Sequence, residues 1–129
     1  MKYLASIFIL VLALCSCSDA PDKDCLETTT LEVQQIILPD STRLAEPMNV
    51  EVEVVRPNVR YKYTGPIISS TDTGCTITIS GEIDWCELGI PTVTYEWHTF
   101  DIRPEQSGEY TVEVNNNRSE NLSDTIIVF

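Results

Sequence analysis

The sequence predicts an all-β fold, an antiparallel two-layer sandwich of seven to eight strands. Three observations predict it. Apolar and polar residues alternate with a period of two through most of the chain beyond residue 30, which is the pattern of a strand with one buried face. Gly, Pro, Asn and Asp break that alternation at short intervals, as turns do. No stretch shows a sustained helical period. Strands with one apolar face must cover it, so two layers follow. The roughly one hundred residues after position 30 suffice for one small core.

The elements follow in order. LEVQQIIL, residues 31 to 38, reads as a first strand stopped by Pro39-Asp40. In NVEVEVV, Val50, Val52 and Val54 alternate with Glu51 and Glu53 until Arg56-Pro57-Asn58 breaks the run. Val59, Tyr61 and Tyr63 share one face of VRYKY, with Arg60 and Lys62 on the other. Gly65-Pro66 predicts a turn, followed by a short strand from Ile67 to Ser70 and a loop at residues 71 to 74. From Cys75 to Ile83, the residues Cys75, Ile77, Ile79 and Ile83 share a face, and Gly81 in that row marks a bulge or a close contact. Thr92 to Ile102 carries Val93, Tyr95 and Trp97 in one parity and Phe100 and Ile102 in the other. A bulge near His98-Thr99 is expected to turn all five towards the core. Pro104 to Gly108 is a turn, and Tyr110, Val112 and Val114 point inward from the next strand. A polar loop from Asn115 leads to a closing strand, Thr125 to Phe129.

The amino end carries different information. Lys2 precedes an uncharged apolar run from Tyr3 to Leu14, the layout of a signal peptide. That run is shorter than the about 20 residues a spanning helix needs. Leu14-Cys15-Ser16-Cys17 resembles the bacterial lipobox. The resemblance implies a lipoprotein signal peptide over residues 1–16 and palmitate-type acylation of Cys17, which would fix the chain to a membrane. Residues 17–30 begin with Ser18-Asp19-Ala20-Pro21-Asp22-Lys23-Asp24 and read as an acidic flexible tether of about 40 Å reach when extended. Residues 31–129 form the folded domain. An acidic stretch behind the acylated cysteine resembles the display signal of Bacteroidota lipoproteins, and Ser18 argues against retention at the inner membrane. The expected location is the outer membrane, facing periplasm or cell surface.

The chain has 8 basic and 20 acidic residues, a formal charge of −12. Lys2 is the only charge before Cys17, so the remainder is more acidic still. This disfavours nucleic acid, whose phosphates need basic partners, and fits a solvated extracytoplasmic domain. Cysteines stand at 15, 17, 25, 75 and 86. Signal removal takes Cys15 and acylation takes Cys17, leaving three in an oxidising compartment with three possible pairings. The expected bridge is Cys75–Cys86. A link from Cys25 to either is the rival, and would staple the tether to the domain. No zinc spacing is present and His98 is the only histidine, so no metal and no cofactor is expected.

Candidate chemistry is sparse. Glu96 shares the face of His98 on a regular strand, so an ion pair is available. A lone imidazole beside acids is more simply a strand histidine than a general base. No Gly-x-Ser-x-Gly, His-Glu-x-x-His or phosphate loop occurs, and no catalytic residue is assigned. Glu82, Asp84 and Glu87 surround Trp85 and Cys86. Two carboxylates with an aromatic suit a sugar, although an acidic strand end that resists edge pairing is the plainer account. Trp85, Trp97, Tyr61, Tyr63 and Tyr95 are candidates for an aromatic platform, with core packing claiming most of them. Trp85 lies outside the alternating row. Trp85, Glu82 and Asp84 are therefore the candidate ligand contacts.

Ser107-Gly108-Glu109-Tyr110-Thr111-Val112 resembles a late strand of immunoglobulin-like domains, where a Tyr after a Gly-containing corner hydrogen-bonds back to the backbone. Val112 stands where antibody domains place a cysteine. More broadly, NVRYKYTGPI, the cysteine-bearing centre and YEWHTFDIRPEQSGEYTVEV resemble small Bacteroidota lipoproteins, a group with no established activity. That group often carries a cysteine near the position of Arg60, so Cys75 here lacks that partner. The resemblance implies an immunoglobulin-like β-sandwich at the envelope, a non-enzymatic binding or structural role, and a protein or glycan partner. The alternative is an inhibitor of secreted proteases presenting loops at 56–58 or 72–74. A glycan-modifying enzyme using Glu82 and Asp84 is a third reading.

Overall fold

A computed structural model describes residues 25–117 and 119–129. The signal peptide expected over 1–16, the acylated Cys17 and the tether up to residue 24 lie outside the described residues. Nine strands follow one another: β1 (Leu26–Thr30), β2 (Glu32–Ile37), β3 (Ser41–Thr42), β4 (Met48–Arg56), β5 (Tyr61–Thr71), β6 (Gly74–Asp84), β7 (Thr94–Ile102), β8 (Gly108–Val114) and β9 (Leu122–Val128). They form two sheets, as a sandwich requires. The smaller sheet is β2-β4-β7, antiparallel throughout. The larger holds six strands around β6.

β6 explains the larger sheet. Ten of its eleven residues, Gly74 to Ile83, pair with β5 along one edge. Along the other edge, its first half pairs with β8 and its last half with β1. The β6–β8 pairing is parallel, as is the two-residue β3–β9 pairing. The larger sheet is therefore mixed, which corrects the expectation of a wholly antiparallel sandwich. Sequence alternation reveals which face a strand buries, but is silent on strand direction.

The expected first strand divides in two. β1 runs in the larger sheet, and the chain then crosses to the smaller sheet at Leu31. Its N–H donates to the Ile79 carbonyl (2.8 Å), and its side chain is 2% exposed. Gly81 admits it: a Cβ there would stand 2.7 Å from the Leu31 side chain, so the close contact read from that glycine is present. Residues 26–30, expected in the tether, belong instead to the sheet. Their Thr-rich run pairs in full register with residues 80–84.

Two further expectations are corrected. Gly65-Pro66 makes no turn but sits within β5 at a bulge between Tyr63 and Gly65. Gly65 has φ of 142°, a backbone conformation side chains disfavour. Pro66 is tolerated because β5 is an edge strand. The second correction concerns β7, which pairs with β4 without interruption from Met48↔Ile102 to Arg56↔Thr94. There is no bulge at His98-Thr99.

The core lies between the sheets. Val50, Val52 and Val54 of β4 meet Ile77 and Ile79 of β6, Val112 and Val114 of β8, and Ile126 and Val128 of β9, all fully buried. Each such side chain stabilises the fold by about 1.5–3 kcal/mol through removal from water. Asn116 is the buried polar exception among the described residues. Its Oδ1 accepts the Val33 N–H and its Nδ2 donates to the Val33 carbonyl, both at 3.0 Å. It stands in for a strand neighbour where β2 slips register after Val33.

Candidate functional site

The unbulged β7 decides which side chains face water. Residues opposite each other in an antiparallel pair share a face. Ile102, Phe100, His98 and Glu96 pair with Met48, Val50, Val52 and Val54 and so point inward. Tyr95, Trp97 and Thr99 pair with Val55, Glu53 and Glu51 and point outward. Tyr95 is 56% and Trp97 47% exposed. The expectation that Val93, Tyr95 and Trp97 join the core is overturned. A straight strand has one inward parity, and Phe100 and Ile102 hold it.

The inward row is completed by polar groups that find partners at the open side of the sandwich, between β5 and β7. Arg56 donates to Glu96 Oε1 at 2.5 Å and to the Tyr61 carbonyl at 2.7 Å, tying the two sheets together. His98 Nε2 lies 3.3 Å from Glu96 Oε2, so the ion pair read from the sequence has its geometry. The imidazole stacks on Tyr63, with centroids 3.6 Å apart and planes within 9°. The Arg56 hydrogen bond holds the Glu96 carboxyl below its ordinary value, against the opposing effect of partial burial. Burial pushes the Tyr63 phenol up. These groups form a structural seam whose members are already engaged with one another.

The outer face of the smaller sheet is different. Tyr95 and Trp97 are two apart on one strand, so their rings rise about 6–7 Å from each other. Trp97 lies across from Glu53, which in turn faces Gln35, and Glu51 lies between Ile37 and Thr99. Among the described residues neither Glu51 nor Glu53 has a salt-bridge partner. The result is an aromatic strip beside unneutralised carboxylates on a rigid sheet.

The residues singled out from the sequence lie elsewhere. Glu82 and Asp84 do share a face, because β6 continues to Asp84. They stand on the outer face of the larger sheet, Glu82 between Thr28 and Lys62 and Asp84 beside Leu26. Trp85 follows, 52% exposed. Its indole N–H donates to Glu27 Oε2 at 2.8 Å, and the Arg60 guanidinium lies 5.6 Å from its ring centroid. None of the three lines the cavity of about 160 Å³ whose walls include Leu31, Val55, Pro57, Tyr61 and Asn116.

The disulfide is Cys25–Cys86, with Cα atoms 5.4 Å apart. This corrects the expected Cys75–Cys86 bridge in favour of its rival. Cys75 opens β6 and Cys86 lies beyond its far end, so an extended strand holds them about 35 Å apart, and a bridge needs Cα atoms within about 7 Å. The Leu26↔Asp84 register brings Cys25 to Cys86 instead. Cys75 is a buried free thiol beside the Tyr110 hydroxyl, and burial raises both groups. The Tyr110 expected to bond backbone at its corner thus meets a thiol. Cys25, Cys86 and Asp84 converge, but the sulfurs are joined and Asp84 Oδ1 accepts the Cys86 N–H at 3.0 Å. That group has no thiolate to offer a metal.

The loops offered for protease inhibition are short. Arg56 is held in the seam, Asn58 Oδ1 accepts the Arg60 N–H, and residues 72–73 make a two-residue hairpin between Thr71 and Gly74. No protein family, no curated protein and no solved structure matches this chain.

Proposed function

We propose that this protein is a lipid-anchored, extracytoplasmic binding module, and that the outer face of the smaller sheet receives its ligand. The observation that carries the reading is the exposure of Tyr95 and Trp97 on a strand whose other parity packs the core. Carbohydrate fits this face. Sugar C–H faces lie against aromatic rings, and hydroxyl donors suit the free carboxylates of Glu51 and Glu53. A binding rather than catalytic role is supported by the engagement of Glu96 with Arg56 and of His98 with Tyr63. Anchoring is supported by the lipobox-like Leu14-Cys15-Ser16-Cys17.

The test titrates the purified protein with neutral oligosaccharides from the native envelope, following tryptophan fluorescence. Trp97→Ala should weaken binding about tenfold with little change in melting temperature. Binding that survives Trp97→Ala and Tyr95→Ala together places the ligand elsewhere. Cys17→Ser should release the protein from membranes, and retention would end the anchor reading.

A further inference from the structure

The end of the sandwich that carries Cys25 is unusually apolar at its surface. Leu88 is 83% exposed, Ile90 58%, Val93 54% and Leu26 51%. Single exposed apolar residues are ordinary. Here three of them fall within the link between β6 and β7 and join Trp85 at one end of the molecule, and apolar side chains gathered at one exposed end mark an interaction surface.

This link is held rather than loose. Cys86 is covalently tied to Cys25. Arg60 donates to the Glu87 carbonyl at 2.7 Å, and its guanidinium packs under Gly89, where a Cβ would stand 2.9 Å from it. Successive short turns follow, with the Ile90 N–H on the Leu88 carbonyl and the Thr92 N–H on the Ile90 carbonyl. The backbone is anchored at its base while its apolar side chains point away from the protein.

The position of the patch says what covers it. The described chain begins at Cys25, beside Cys86. Because residues 26–30 are part of the sheet, only the seven residues 18–24 lie between Cys17 and Cys25, a reach of at most about 29 Å over the eight steps. We propose that the 86–93 link is a membrane-contacting loop: Leu88 and Ile90 dip into the lipid–water interface and set the domain's orientation on the bilayer. The proposal rests on the anchor at Cys17. Glu27, Glu82, Asp84 and Glu87 outnumber Arg60 and Lys62 near the link, so the favoured surface is a zwitterionic rather than an anionic one.

The test uses the full acylated chain in phosphatidylcholine vesicles, with bromine on the acyl chains as a quencher and Trp85 as reporter in a Trp97→Phe background. Flotation with the vesicles reports the anchor, and quenching reports the loop. The expected result is co-flotation with Trp85 emission reduced about twofold, and recovery of that emission in Leu88→Asp/Ile90→Asp while flotation persists. Co-flotation with equal emission in brominated and plain vesicles would overturn the loop proposal and leave the anchor intact. A protein that does not float and has no acyl mass at Cys17 overturns both. Retention of an envelope protein that depends on Leu88 and Ile90, with Trp85 unquenched, would make the patch a protein-docking surface instead.

Discussion

The two outward faces of this sandwich differ in what they expose. On the larger sheet, Thr28, Thr76, Thr78 and Ser80 face water with the aliphatic Leu26, Ile67 and Ile127 and no aromatic strand residue, and Glu82 is flanked across the strands by Lys62. Small hydroxylated side chains and an opposed charge pair are what a solvated β face ordinarily carries. On the smaller sheet, Tyr95 and Trp97 stand beside Glu51 and Glu53, and the carboxylates have no cationic neighbour across the strands. Both sheets cover the same core, so packing cannot account for the difference. The smaller sheet thus gathers its aromatic surface into two half-exposed rings beside two unneutralised charges.

Four experiments break or sharpen this contrast. The largest effect is expected from Cys86→Ser, which frees β1 to leave the larger sheet. Stability in urea should fall by about 2–5 kcal/mol, and the Cys25 thiol should become reactive while Cys75 stays shielded until unfolding. An unchanged midpoint would mean that strand pairing alone docks β1. Next comes the parity of β7. Phe100→Ala should cost about 2–3 kcal/mol and Trp97→Ala less than about 1 kcal/mol; the reverse order would restore the bulged strand.

The third effect depends on pH. Glu96 titrates lower folded than unfolded because of Arg56. Its contribution is therefore complete above the unfolded value near pH 4.3 and is lost as pH falls through the lower folded value. The melting difference between wild type and Glu96→Gln should shrink as pH drops from 7 towards 3, and a constant difference would show that charge plays no part. The smallest effect is the control on the opposite face. Thr78→Ala should change stability by within about 0.5 kcal/mol and leave sugar titrations untouched.

Most of the fold was legible because alternation is a direct record of burial. The inward rows of β4, β6 and β8 can be read from Val50 to Val54, Cys75 to Ile83 and Tyr110 to Val114 without error. Four features escaped. Strand direction leaves no trace in alternation, so the parallel β6–β8 pairing was invisible. Leu31 looked like one more residue of a single strand, because a crossing between sheets is a tertiary event. In β7, two apolar rows of opposite parity compete for the inward side, and nothing local reveals that Arg56 and Tyr63, distant in sequence, make that side hospitable to Glu96 and His98. The exposure of Tyr95 and Trp97 is hidden by the same competition. The Cys25–Cys86 bridge followed from a register that only the folded sheet displays.

That bridge also determines how the molecule would bear a load. A tug on the amino-terminal segment meets a covalent bond at Cys25 and is delivered to Cys86, at the foot of β6. β6 lies inside the larger sheet, with neighbours on both edges. Traction therefore enters along the best-supported strand rather than peeling β1 one residue at a time. Shear or drag on a protein tied at that end would be shared by a whole sheet at once.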